Sequence, residues 1–95
     1  MTIYKNCKMV TLYHSAEVSA EWPCVVKLSP PEILVEYDYD GLCQYIGQSR
    51  GLGHYELHAP AIKGHASLHM FEGSEVMEGS WVEGAYKGMW RIELK

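Results

Sequence analysis

The sequence predicts an all-β domain, an antiparallel up-and-down meander of about seven or eight short strands that forms a small barrel or a strongly curved sheet. Short runs of alternating apolar and polar residues are separated by turn residues, the pattern of half-buried strands. Nine glycines, seven tyrosines and three tryptophans are typical of a twisted sheet with tight turns. The 95 residues, 47% hydrophobic, supply one core but not two, so residues 1–95 are expected to form a single domain.

The register follows from the turns. Asp40-Gly41 lies between two alternating runs, and Asp-Gly in that position indicates a two-residue type I′ hairpin. That turn places Tyr37 opposite Gln44 and puts Leu42, Gln44 and Ile46 on the apolar face. Toward the C-terminus, Gly84-Ala85 suits a type II′ turn with glycine first, so that Trp81 and Trp90 each lie opposite a glycine.

Seven strands share one apolar face with these registers. They are expected near residues 22–28, 33–39, 42–48, 53–58, 65–71, 76–83 and 86–94, with an eighth possible at Lys8 to His14. An even number lets the first strand pair antiparallel with the last, which removes both exposed edges. The alternative is an open curved sheet that meets a second copy. A short helix at Ser15 to Trp22 is the only helical candidate, and it would stop at Pro23.

The predicted inner face is rich in aromatic side chains. An eight-stranded barrel is either filled by its side chains or just wide enough for one small ligand. Ligand sites combine an apolar wall with a few polar groups, and Gln44 and the tyrosine hydroxyls would supply those groups. Arg50, in the glycine-rich segment Gly47 to Gly53, is expected in a flexible loop at one barrel mouth. The candidate ligand-binding residues are Trp22, Tyr37, Tyr39, Gln44, Arg50, Tyr55, Trp81 and Trp90.

Gly79-Ser80-Trp81 resembles the Gly-x-Trp motif of the lipocalin-like, or calycin, barrels, here on the seventh of eight strands, with Lys8 to His14 counted as the first, rather than on the first. The resemblance extends to the meander of residues 22–94 and its aromatic interior. It implies that the chain binds a small, mainly apolar molecule.

Four histidines are expected on the outer face. His54 and His58 lie on one strand and His65 and His69 on the next, and the register pairs His58 with His65 and His54 with His69. Imidazoles at such spacing suit zinc, nickel or copper. A solvated polar face and a pH-sensitive interface are the alternatives.

Composition excludes several classes of function. The formal charge is -4 and the eight Lys and Arg residues are scattered, so no basic stripe favours nucleic acid. No segment reaches the roughly 20 apolar residues of a membrane span, and Met1 to Tyr13 lacks the apolar run of a signal peptide. A cytoplasmic protein with three reduced cysteines, among them a buried Cys24, is therefore expected.

The sequence favours a small-ligand binding module over an enzyme. No nucleophile beside a base, no pair of inward carboxylates and no glycine-rich phosphate loop at the start of a helix stands out. No cofactor is expected. Two alternatives fit the same sequence. One is a metal-binding protein that uses the histidines. The other is an interaction protein or homodimer that uses apolar residues expected on the outer face, namely Leu34, Tyr45, Val82 and Met89.

Overall fold

The computed structural model of the chain describes residues 1–12, 20–38 and 41–95. It contains eight antiparallel strands that pair in sequence order and close into a barrel, as the sequence predicts. The strands are β1 (Thr2–Leu12), β2 (Ala20–Ser29), β3 (Glu32–Asp38), β4 (Leu42–Gly51), β5 (His54–Ala59), β6 (Gly64–His69), β7 (Val76–Glu83) and β8 (Tyr86–Glu93), with a 3-10 turn at Pro60–Ile62. Within these ranges no helix has the length and apolar character needed to cross a membrane.

Strand β1 closes the barrel. It pairs with β8 from Lys8 opposite Glu93 to Leu12 opposite Met89, so neither terminal strand is left as an open edge. The open curved sheet is therefore excluded, and β1 begins well before the predicted start at Lys8. Most of the candidate helix at Ser15 to Trp22 lies outside the described residues, and its last residues, from Ala20 onward, belong to β2.

The predicted register of the C-terminal half is confirmed. Trp81 lies opposite Gly88 and Gly79 opposite Trp90, and Gly84 has the positive φ, 60°, that begins a type II′ turn. The pairs His58 with His65 and His54 with His69 also form as predicted. In this half the tight turns and the two-residue alternation agree, so a single register satisfies both.

The predicted register of β4 is wrong by one residue. Asp38 pairs with Leu42 and Tyr37 with Cys43, so the connection spans residues 39–41 instead of two residues. A one-residue shift turns every side chain of a strand to the opposite face. As a result Tyr45 is fully buried, whereas Leu42 and Ile46 are 65% and 56% exposed and Gln44 is exposed. Gly41 keeps a positive φ of 117°, which both turn lengths accommodate.

A second difference in register, between β4 and β5, returns the side chains of β5 to the faces that the sequence predicts. Strand β4 continues to Gly51, and Gly47 lies opposite Leu57. The predicted flexible loop from Gly47 to Gly53 is therefore mostly strand, and only residues 52 and 53 connect β4 to β5. The β4–β5 register also differs from the predicted one by an odd number of residues, which cancels the shift of β4. Leu57 therefore still faces the interior.

The interior is filled by large side chains from all eight strands. Trp90 lies over Gly79, and its indole N–H donates a hydrogen bond of 3.2 Å to the carbonyl oxygen of Ser67. A Cβ on Gly79 would lie 1.8 Å from that same oxygen, so only glycine lets β7 approach the Ser67 carbonyl this closely. The core consists of Cys7, Met9, Cys24, Val26, Ile33, Val35, Tyr45, Leu57, Ala59, Leu68, Met77, Trp81, Trp90, Ile92 and Leu94.

Two truncations distinguish the observed β4 register from the predicted one. Tyr45→Ala removes a fully buried ring and should lower the free energy of unfolding by about 3 to 5 kcal/mol. Ile46→Ala shortens an exposed side chain and should change it by less than about 0.5 kcal/mol. Urea unfolding of both variants makes the comparison. A larger loss in Ile46→Ala than in Tyr45→Ala would support the two-residue turn instead.

Candidate functional site

One end of the barrel holds a cluster of two tyrosines and a glutamate. This upper end is where β1, β3, β5 and β7 finish. Tyr45 donates a hydrogen bond of 2.6 Å to Oε2 of Glu83, and Tyr37 donates one of 3.1 Å to the same oxygen. The two phenol rings are stacked with centroids 6.5 Å apart. We call Tyr37, Tyr45 and Glu83 the tyrosine–glutamate cluster.

Strand alternation brings the three side chains together. Glu83 follows Met77, Gly79 and Trp81 at two-residue spacing, so it points inward at the end of β7. Tyr45 reaches it from β4, and its ring packs edge-on against Trp90 at 5.2 Å. Gly64 leaves the room required, because a Cβ there would lie 2.6 Å from the Tyr45 hydroxyl oxygen.

Burial and the neighbouring carboxylate keep both phenols protonated. Burial raises the pKa of Tyr37 far above its ordinary value of 10.0, and the charge of Glu83 raises it further. The pKa of Tyr45 is also raised by burial and by its hydrogen bond to Glu83. Each phenol therefore acts as a hydrogen-bond donor to the carboxylate throughout the physiological pH range.

Tyr45 and Glu83 are not among the site residues that the sequence predicts. Tyr45 was assigned to the outer face by the two-residue turn. Glu83 comes directly before the Gly84-Ala85 turn, at the end of β7. Its two-residue spacing from Met77 and Trp81 is the pattern that places it inside.

The predicted ligand-binding residues do not gather at one place. Trp22 and Tyr37 are half-buried on the inner face near the upper end, whereas Tyr55 lies toward the lower end, opposite Ser49. Trp81 and Trp90 are 6% and 2% exposed and belong to the packed core. Tyr39 lies outside the described residues.

Gln44 and Arg50 lie on the outer face of β4. Gln44 donates a hydrogen bond of 3.3 Å to Oε2 of Glu36, so it is not the buried amide that the sequence predicts. Arg50 forms an ion pair of 3.2 Å with Glu56 across the β4–β5 hairpin, and it is not in a mouth loop. Both corrections follow from the register and length of β4.

The outer histidines form two separate pairs. The rings of His54 and His69 are stacked, with centroids 4.3 Å apart and 21° between their planes. The rings of His58 and His65 are nearly perpendicular, at 84°, and their Nδ1 atoms are 3.0 Å apart. Within the described residues no three His, Cys, Asp or Glu side chains converge to hold a metal ion, so the predicted four residues do not form one site.

The cysteines are all free, and Cys24 is buried as predicted. Cys7 lies directly opposite it on β1. Burial, together with Cys7, raises the pKa of Cys24 to about 12. A thiol in this state is a poor nucleophile, since the thiolate is the reactive form.

The outer apolar residues are distributed differently from the prediction. Val82 and Met89 are exposed as expected, at 44% and 43%. Leu34 is only half-buried, and the assignment of Tyr45 to this face was wrong. Leu42 and Ile46 take its place as exposed apolar residues of β4.

Comparisons with protein-family models, with curated proteins and with solved structures find no match.

The raised pKa of the two phenols predicts a particular pH dependence of stability. Below pH 10 both phenols are protonated in the folded and the unfolded chain, so their full contribution to the free energy of unfolding is present. Above pH 10 the unfolded chain releases phenol protons that the folded chain retains, so stability should fall as pH rises. The double variant Tyr37→Phe/Tyr45→Phe should lose stability less steeply, measured by urea unfolding from pH 8 to 11.

A Tyr86→Phe variant is the matched control, since this ring is 53% exposed. Its stability should fall with pH as steeply as that of the unmodified chain. The double variant should also be less stable at pH 8, because the Glu83 carboxylate loses two donors. An unchanged slope in the double variant would contradict the role of these phenols.

Proposed function

We propose that the chain is a small-molecule binding module whose site is the upper end of the barrel, with the tyrosine–glutamate cluster as its polar anchor. The proposal rests on one observation, a half-buried carboxylate that accepts two hydrogen bonds at the end of a barrel whose core is mainly apolar. Ligand sites combine an apolar wall with a few placed polar groups. The resemblance of Gly79-Ser80-Trp81 to the lipocalin motif agrees with this function, and a cytoplasmic location stays a prediction.

The cluster favours a ligand that donates hydrogen bonds. Both phenol protons are directed at one oxygen of Glu83, so what the cluster can offer a ligand is lone pairs. An ionised carboxylate accepts at both oxygens, and the net charge of -4 favours a cation over an anion. A protonated amine attached to an apolar or aromatic group meets these requirements.

Half-buried apolar side chains lie at the same end of the barrel as the anchor. Trp22 and Ile62 pack against the core but are only partly covered, as is Tyr37 of the anchor itself. Below them Tyr45, Trp81 and Trp90 are buried against one another and their neighbours. We therefore place the apolar part of the ligand against the half-buried side chains, at the end of the barrel and not at its centre.

A matched pair of probes tests the proposal. 2-Phenylethylamine and 3-phenylpropionate share an aromatic ring and a two-carbon chain, but one ends in a cation and the other in an anion. Titration followed by tryptophan fluorescence should show saturable binding of the amine and much weaker binding of the carboxylate. Glu83→Gln should weaken amine binding by about tenfold, since a charge-assisted hydrogen bond becomes a neutral one.

Glu78→Gln is the control variant. It removes the same charge from the same strand, at an exposed position on the outer face, and should leave amine binding unchanged. Equal binding of both probes, no binding of either, or equal weakening by the two variants would refute the proposed site.

A further inference from the structure

The pair formed by His58 and His65 has a geometry that its neighbouring pair lacks. The two residues lie directly opposite each other on β5 and β6, and their Nδ1 atoms are 3.0 Å apart. At that distance one nitrogen carries the shared proton and the other offers its lone pair. Two imidazole nitrogens therefore face one another at a single point on the outer surface.

The backbone beneath this pair is held by hydrogen bonds. The next pair along the hairpin is Ala59 with Gly64, both buried. The connection that follows is closed by hydrogen bonds from Lys63 N–H to the Pro60 carbonyl and from Gly84 N–H to the Lys63 carbonyl, of 3.2 and 3.3 Å. Because the backbone of both strands is fixed, only the side-chain torsions of the two histidines have to be ordered when they bind an ion.

The histidine pair lies in a recess of the surface, and the residue on each side of the pair on the neighbouring strands is apolar. Ile46 lies beside His58 on β4, and Val82 lies beside His65 on β7. Both histidines line a surface depression of about 280 Å³, together with Glu56, Ser67 and Ser80. Glu56, whose carboxylate pairs with Arg50 at 3.2 Å, adds a negative charge to the wall of this depression.

The nitrogen separation indicates the class of metal. Two nitrogens bound cis to a square-planar or octahedral ion at about 2.1 Å are about 3.0 Å apart, whereas a tetrahedral ion requires about 3.4 Å. The observed 3.0 Å is close to the first value, so the two rings need only turn until both lone pairs meet beside the line that joins the nitrogens. Imidazole ligands in that arrangement are typical of Cu²⁺ and Ni²⁺.

We infer that His58 and His65 form a two-histidine chelate for Ni²⁺ or Cu²⁺. The proton between the two Nδ1 atoms moves through solvent to Nε2 of its own ring. Both Nδ1 lone pairs then bind an ion that lies beside the line joining these atoms, and water completes its coordination.

His54 and His69 do not form such a site, because their rings are stacked. The nitrogen lone pairs lie in the ring planes, and two nearly parallel planes do not meet at one ion. The inference is independent of ligand binding at the upper end of the barrel, since these side chains lie on the outer face.

Calorimetric titration of the untagged chain with Ni²⁺ tests the inference, and Ni²⁺ avoids the thiol oxidation that Cu²⁺ promotes at the partly exposed Cys43. One equivalent of Ni²⁺ per chain should bind. His58→Ala and His65→Ala should each weaken binding by at least about tenfold. His54→Ala and His69→Ala, on the same two strands, should leave the affinity within about twofold of the original.

Thermal unfolding followed by circular dichroism provides a second measurement. Saturating Ni²⁺ should raise the midpoint of the unmodified chain and of the His54→Ala variant but not of His58→Ala, because an ion that binds only the folded state stabilises it. Absence of Ni²⁺ binding to the unmodified chain, or an equal loss in all four variants, would overturn the inference.

Discussion

The hydrogen bond between Tyr45 and Glu83 is the interaction on which the arrangement of the upper barrel depends. It joins β4 to β7 across the interior at 2.6 Å, and Tyr45 has no exposed surface. A buried phenol without a partner would cost about 1 to 3 kcal/mol. With Glu83 as its acceptor, the ring contributes its apolar area to the core at no such cost. The alternative register would bury the Gln44 amide instead, which brings less apolar area and more polar groups to satisfy.

Glycines at inward positions let large rings share a narrow barrel. Gly64 makes room for the Tyr45 hydroxyl, and Gly79 lets β7 lie close to the Ser67 carbonyl, which accepts the hydrogen bond of the Trp90 indole. Added methyl groups at either position would overlap these neighbours. Packing of this kind fills the centre with side chains, and it leaves the ends of the barrel as the positions where polar groups meet solvent.

The inner and outer faces carry separate chemistry. Side chains alternate along each strand, so the residues next to those of the core appear on the surface in rows across the sheet. Ile46, His58, His65 and Val82 form one such row. The proposed metal pair lies in that row, whereas the tyrosine–glutamate cluster lies inside the barrel, and a substitution at one is expected to leave the other unchanged.

Local residue patterns determine much of this protein. The alternation of apolar residues and the turn at Gly84 are sufficient to predict the all-β meander, the registers from β5 to β8 and the two cross-strand histidine pairs, because each depends only on adjacent strands. The register of β4 was decided by tertiary structure. Asp40-Gly41 accommodates more than one loop length, and the choice rests on Tyr45 meeting Glu83, 38 residues away. Ring orientation is likewise invisible in sequence: the two histidine pairs have the same spacing, yet one stacks and the other brings two nitrogens together.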